Sequence, residues 1–115
     1  MLEEWRCIPG TRYRVSSLGS VARCWKDKIK TVKPYKTNNK NKRYLRVGLG
    51  RGCKKYVHRL VADAFIGPCP AGKQINHKDG NPQNNSINNL EYVTPKENIE
   101  HAIENRLFRK SVLYV

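Results

Sequence analysis

Thr94-Pro95-Lys96-Glu97 fixes a helix start more firmly than any other stretch of this 115-residue chain fixes its own structure. A hydroxyl at the cap can accept from a first-turn N–H, and proline is preorganised for the first helical position. A glutamate three residues after the cap can reach back to the cap's own N–H. From there Ile99, Ala102, Ile103 and Leu107 recur at helical spacing and are expected to face the core. At about 100° per residue, Asn98, His101 and Asn105 share a neighbouring stripe, so Asn98 and His101 can point to one place. Upstream, one short apolar run ends at Ile75-Asn76-His77 and a second covers Leu90 to Val93, with Gly80, Pro82 and several asparagines between them. These read as strand, turn-rich loop and strand, leading into the capped helix.

Charge divides the rest of the chain. Residues 1–60 hold 17 Lys and Arg against 3 Asp and Glu, whereas residues 61–115 hold 6 of each, so the first part carries the whole net charge of +14. Such an excess in so few residues repels itself unless it meets a polyanion, which points to nucleic acid. A membrane surface fits less well, because no basic amphipathic helix is evident. No apolar run approaches the roughly 18 residues of a membrane span. The N-terminus, Met1-Leu2-Glu3-Glu4, does not read as a secretory signal, so an intracellular, non-secreted protein of the host cytoplasm is expected. Cysteines at 7, 24, 53 and 69 form no C-x-x-C pair, so no structural zinc is expected and reduced thiols are.

Taken in order, residues 12 to 24 read as a hairpin, with Tyr13, Val15 and Val21 flanking Ser16-Ser17-Leu18-Gly19-Ser20. Residues 26 to 43 are the most basic and least apolar stretch, and Lys36 to Lys42 lacks any periodicity and reads as a loop. Trp25, Tyr35 and Tyr44 flank it and are expected to pack on the sheet rather than to stack on bases. Tyr44 to Leu49 alternates in type, meets Gly50-Arg51-Gly52 and returns through Lys54 to Val57, an antiparallel pair. His58 to Ile66 reads as a short buried helix, ended by the linker Gly67-Pro68-Cys69-Pro70-Ala71-Gly72.

The Asn76-His77 pair, Asn89-Leu90, and Asn98 with His101 resemble the HNH endonucleases, the ββα-metal or His-Me finger fold, and in particular the phage and intron-borne homing group. Glu4-Trp5-Arg6, Ile8-Pro9-Gly10, Tyr13-Arg14-Val15-Ser16 and Gly19-Ser20-Val21 resemble the small NUMOD-like DNA-binding module that often precedes such sites. Together they imply an α+β chain: a basic antiparallel β-sheet module over residues 1–57, then a ββα-metal nuclease core over 58–115 with a connecting helix 58–66 and linker 67–72. The sheet of the module would pack on Trp5.

The resemblance also implies a chemistry. Hydrolysing a phosphodiester needs a base for the attacking water and counter-charge at the phosphate. His77 takes the general-base position. Asn76 and Asn98 take the metal-ligand positions through amide oxygens, for Mg²⁺ or another divalent cation such as Mn²⁺. Asn89 holds the loop together and orients His77, and His101 serves as a third ligand or a donor to the scissile phosphate. Many relatives have Asp where this chain has Asn76, so here the DNA phosphate must help recruit the ion. Asp79 and Asn81, Asn84, Asn85 and Asn88 are expected only to shape the loop. Arg12, Arg14, Arg23, Arg46, Arg51, Lys54, Lys55 and Arg59 are candidates to grip duplex DNA. His58 joins them, as either a phosphate contact or a structural residue. No obligate protein partner is expected. Two other classes compete: the same scaffold as a catalytically silent, sequence-specific DNA binder or regulator, and a basic RNA-binding protein, which leaves the C-terminal half unexplained.

Overall fold

The computed structural model describes residues 2–37 and 43–110, with side chains described up to residue 104. Everything is arranged around helix α1 (Val57–Phe65), which touches both halves of the chain. Its sequence explains the role. Val57, Leu60 and Val61 line one stripe and are buried, while Arg59 and Asp63 stay outside.

Three small antiparallel sheets surround it. The first is a meander of β1 (Trp5–Cys7), β2 (Tyr13–Ser16), β3 (Val21–Trp25) and β4 (Lys28–Thr31). The second joins β5 (Tyr35–Lys36), β6 (Leu45–Gly48) and β7 (Lys54–Tyr56), and the third is the pair β8 (Gln74–His77) and β9 (Leu90–Val93). Helix α2 (Pro95–Lys110) follows β9 directly. One hydrophobic cluster (Val15, Val21, Val47, Leu49, Val57, Leu60, Val61 and Leu90) draws on all three sheets and α1. Burying a side chain of this size contributes about 1.5–3 kcal/mol, so the halves stabilise each other.

The β2–β3 hairpin pairs Val15 with Val21 across the anticipated serine-rich turn. Within it, the Ser16 hydroxyl accepts from the N–H groups of Leu18 (3.2 Å) and Ser20 (3.0 Å). Ser17 is tied to Glu4 twice, through Ser17 N to Glu4 O (2.8 Å) and Glu4 N to Ser17 Oγ (3.0 Å). The second hairpin closes as its sequence implies, with Arg51 in the left-handed region (φ 49°) between Gly50 and Gly52. The C-terminal end of α1 is capped from afar. Arg6 of β1 donates through Nη1 to the Ala64 carbonyl and lays its guanidinium over the Phe65 ring at 4.6 Å. That supplies the cation a helix C-terminus favours, which α1's own last turn lacks.

Several expectations change. Trp5 does not lie under the sheet but on edge strand β1, where it is 39% exposed. Trp25 is likewise exposed, with the Arg12 guanidinium 3.4 Å above its ring, and Tyr35 is exposed on the two-residue strand β5. The basic stretch after Trp25 contains a strand, β4, that its composition hid. Of the loop expected over 36–42, residues 38–42 lie outside the described residues. Val57 opens α1 instead of ending a strand.

The largest departure concerns α2. Its Thr94-Glu97 start is as read, with Glu97 N–H donating to Thr94 Oγ1 and Thr94 N–H to Glu97 Oε1, both at 3.1 Å. The Thr94 N–H, and after it the Thr94 hydroxyl, hold the Glu97 carboxyl below its ordinary range. Yet Ile99 and Ile103 are 60% and 49% exposed, and Ala102 is exposed too. A two-stranded sheet offers too little surface to cover a full apolar stripe. The helix docks instead by the stripe carrying Asn98 and His101. The Asn105 and Leu107 side chains lie outside the described residues.

Candidate active site

The two strands beneath α2 set Asn76 opposite Glu91 and His77 opposite Leu90. At His77 the pairing gives way to a loop that is closed by amides. Asn89 Oδ1 accepts from the Asp79 N–H (3.0 Å), and Asn89 Nδ2 donates to Asp79 Oδ1 and to the Asn84 carbonyl, both at 2.9 Å. Lys78 N–H reaches the Asn89 carbonyl at 2.8 Å. Asp79 also accepts from the Asn84 side chain and the Asn81 N–H, both at 2.8 Å. These donors, Asn84 foremost, hold its carboxyl below the usual range. Asp79 is thus fully engaged in shaping the loop.

His77 is buried at 7% exposure, and its Nε2 lies 2.9 Å from Oδ1 of Asn85, itself 3% exposed. An amide oxygen can only accept, so Nε2 carries a proton, and in the neutral ring Nδ1 is the nitrogen with the lone pair. The residue that selects the tautomer is therefore Asn85; the amide of Asn89 is spent on the loop. Two rings pack against the imidazole: Tyr44 of the N-terminal half, stacked at 5.8 Å, and His58 of α1, edge-on at 5.3 Å. His58 also touches Tyr44 (4.8 Å) and Tyr56 (5.3 Å). Burial first, then the charges of His77 and Arg59, push the His58 pKa from 6.5 to about 3. It is a neutral packing residue at 7% exposure, with Nδ1 buried and unpartnered among the described residues.

Asn76, His77 and Asn98 line one cavity of about 320 Å³, with Tyr44, Ile99 and Ala102 among its other walls. A second cavity of about 460 Å³ shares Tyr44, Ile75 and Asn98 with it and adds Tyr56, His58, Arg59 and Lys73. No side-chain hydrogen bond joins Asn76 or Asn98 to another described residue. Both side chains line a shared space and carry amide oxygens, hard donors of the kind that suits a divalent cation that retains water and borrows phosphate oxygens. Among the described residues no three His, Cys, Asp or Glu side chains gather as a metal site, so any ion held here lacks a carboxylate cage. His101 does not line this cavity. Its Nε2 donates to the Lys78 carbonyl at 3.1 Å, pinning α2 to the residue after His77.

The basic residues lie elsewhere. Arg12, Arg23 and Arg51 line a groove of about 710 Å³ between the first sheet and the β6–β7 turn. Arg14, Lys54, Lys55 and Arg59 are exposed. Arg46 is half-buried, its guanidinium 5.2 Å from the Tyr56 ring centre and its Nε unpartnered among the described residues. Sequence reasoning did not single out Asn85 or Tyr44 for the site. Nothing local distinguishes Asn85 from Asn81, Asn84 or Asn88, and only folding carries Tyr44 across to His77.

A sheet module, α1 and a ββα unit with paired amides around a histidine define a class. Residues 55–99 match the HNH endonuclease model, and residues 3–50 match the NUMOD4 motif. Residues 55–99 thus belong with the HNH endonucleases, whose members use divalent metal ions. The chain is similar to the DNA endonuclease I-HmuI of Bacillus phage SP01, with 40% identity over 105 residues, 87% of this chain and 58% of that protein. A solved structure described as "DNA binding and cleavage by the HNH homing endonuclease I-HmuI" matches with a TM-score of 0.71 at 39% identity, covering 92% of this chain and 59% of that one. The Uncharacterized HNH endonuclease L247 of Acanthamoeba polyphaga mimivirus is 34% identical over 110 residues, 91% of this chain and 27% of its own length. The chain thus spans little more than half of I-HmuI and a smaller share of the mimivirus protein. No helix among the described residues is long and apolar enough to cross a membrane.

Proposed function

We propose that this chain is a homing-type endonuclease that hydrolyses phosphodiester bonds in duplex DNA, by nicking or double-strand cleavage, with one divalent ion. The observation that carries this reading is the convergence of Asn76, His77 and Asn98 on one cavity, with the tautomer of His77 set by Asn85. His77 Nδ1 takes the proton from the attacking water, and the resulting imidazolium keeps its Nε2–H bond to Asn85. Asn76 and Asn98 would hold Mg²⁺ or Mn²⁺ through Oδ1, and such an ion supplies counter-charge to the phosphate and the departing oxygen. His101 holds α2, and hence Asn98, against the loop; Asn89 keeps that loop closed. The basic groove and the exposed Arg14, Lys54, Lys55 and Arg59 track the DNA backbone, so the protein acts inside the cell on nucleic acid. The 1–57 and 58–115 division becomes one of task, grip and chemistry, across a shared core.

Supercoiled plasmid incubated with Mg²⁺ or Mn²⁺, with His77→Ala in parallel, tests the reading. Wild type is expected to nick or linearise it, and the variant to lose about 10²–10⁴-fold in rate with DNA affinity kept. Among the described residues no three His, Cys, Asp or Glu side chains gather at the cavity, which favours one competing reading, a silent DNA-binding module. Intact plasmid with both proteins, despite tight binding, would establish that instead.

A further inference from the structure

We infer that the turn of the N-terminal sheet is a strut for the catalytic imidazole: Gly19 and Ser17 seat Asn85, and Asn85 orients His77. This rests on the reading of His77 as the general base. Gly19 and Asn85 are then positioning residues, and the module positions the chemistry as well as gripping DNA.

Three observations converge on the seam. Gly19 adopts φ +91°, and a Cβ built on it would lie 3.0 Å from Asn85 Cβ and 3.2 Å from that residue's carbonyl carbon and oxygen. A side chain there would force Asn85 to give by a few tenths of an ångström, so glycine is favoured by contact as well as by its positive φ. Two residues beyond Asn85, the Ile87 N–H donates to the Ser17 carbonyl at 2.8 Å. The turn is itself stiff, because the Ser16 hydroxyl and the paired Glu4–Ser17 bonds fix it from inside.

The third observation explains why the seat matters. Asn85 Oδ1 meets His77 Nε2, but Asn85 Nδ2 is buried with no partner among the described residues. An amide bonded at one end can rotate by half a turn without losing another bond. Rotation would bring Nδ2 to Nε2 and demand the opposite tautomer, with the proton on Nδ1 and no base there. What opposes that rotation is the bond to His77 itself, and the backbone seat supplied by Gly19 and Ser17 sets the distance and angle at which that bond forms. Loosening that seat should therefore disturb proton placement on His77 while leaving the DNA-gripping surface intact.

The test uses the full chain with ¹⁵N-labelled histidine, the His77 signal being assigned by its loss in His77→Gln. Wild type is expected to show the Nε2–H tautomer. Gly19→Val and Asn85→Ala are expected to show a mixture and to slow plasmid cleavage with Mg²⁺ by about tenfold or more, the scale on which orienting groups act. Duplex affinity should stay within about twofold, and Gly19→Val should add little in the Asn85→Ala background, as coupled neighbours do. Should Gly19→Val fail to fold, Ile87→Pro serves instead. It deletes the N–H bonded to Ser17 together with the Ile87 side chain that packs on the core, so Ile87→Ala is its control, and Ser86 already has the extended backbone (φ −63°, ψ 139°) that precedes proline. A wild-type tautomer in the folded strut variant, or cleavage losses additive with Asn85→Ala, overturns the strut. If wild type does not cut but the strut variant still shifts the tautomer, the strut stands and the endonuclease reading falls.

Discussion

In the N-terminal half the charged groups face outward: Arg12, Arg14, Arg23, Arg51, Lys54 and Lys55 are all exposed, and the buried polar residues are Ser16 and Ser17 in the turn. In the C-terminal half the order reverses. Asn76, His77, Asn85 and Asn89 are buried and charge is balanced. The difference teaches how each half can fail. Exposed cations act additively through long-range attraction, so the loss of one weakens a sum. Buried amides act through fixed geometry, and removing one leaves its partner unsatisfied at about 1–3 kcal/mol and misplaces the next group.

That contrast can be broken at its strong end first. Asn98→Ala should lower cleavage by about 100-fold or more with duplex affinity largely kept, since the ion it helps to hold contributes several kcal/mol. Electrophoretic binding assays beside plasmid cleavage would check it, and a loss of binding in step with cleavage would erase the division of labour.

His58 sharpens the comparison through pH. Its pKa is 6.5 unfolded and about 3 folded, so across that window the unfolded chain binds the extra proton and stability rises with pH. The contribution is complete above about pH 7 and is lost as pH falls toward 3, at up to about 1.4 kcal/mol per unit. Urea unfolding between pH 7 and pH 5 should show a loss of about 2 kcal/mol that His58→Phe removes. An unchanged slope in the variant would mean that the imidazole is not desolvated by Tyr44, Tyr56 and His77.

Smaller effects belong to the grip. Lys54→Ala with Lys55→Ala should weaken duplex binding and flatten its log–log salt dependence by about 0.9 for each phosphate left without its cation, with the cleavage rate at saturating protein unchanged. Comparing duplex DNA with structured RNA at matched salt separates substrate preference from bulk charge. Smallest of all, Thr94→Ala should cost about 1 kcal/mol through the lost cap, read as a lower unfolding midpoint, because the Thr94–Glu97 box is exposed and local.

How much of this was legible before folding varies with the range of the interaction. The Thr94–Glu97 cap, the Gly50–Gly52 hairpin and the Ser16–Ser20 turn are set by neighbours a few residues apart, and each forms as the sequence implies. The Asn76, His77 and Asn98 set was legible through its resemblance to the HNH pattern, and in the fold all three line one cavity. The burial of Ile99 and Ile103 was misread because periodicity reports a face, whereas coverage depends on what packs against it.

By itself, then, the sequence determined the local elements, the separation of charge between the halves and the residue types the chemistry needs, all consequences of short-range stereochemistry and composition. Tertiary structure alone decided that Asn85 rather than Asn89 meets His77, that Tyr44 and His58 wall the imidazole, and that Gly19 lies against the loop from 66 residues away in the chain. The physical reason is that side-chain hydrogen bonds and ring contacts act over only a few ångströms. Which groups come within that range is settled by how α1 draws three small sheets together.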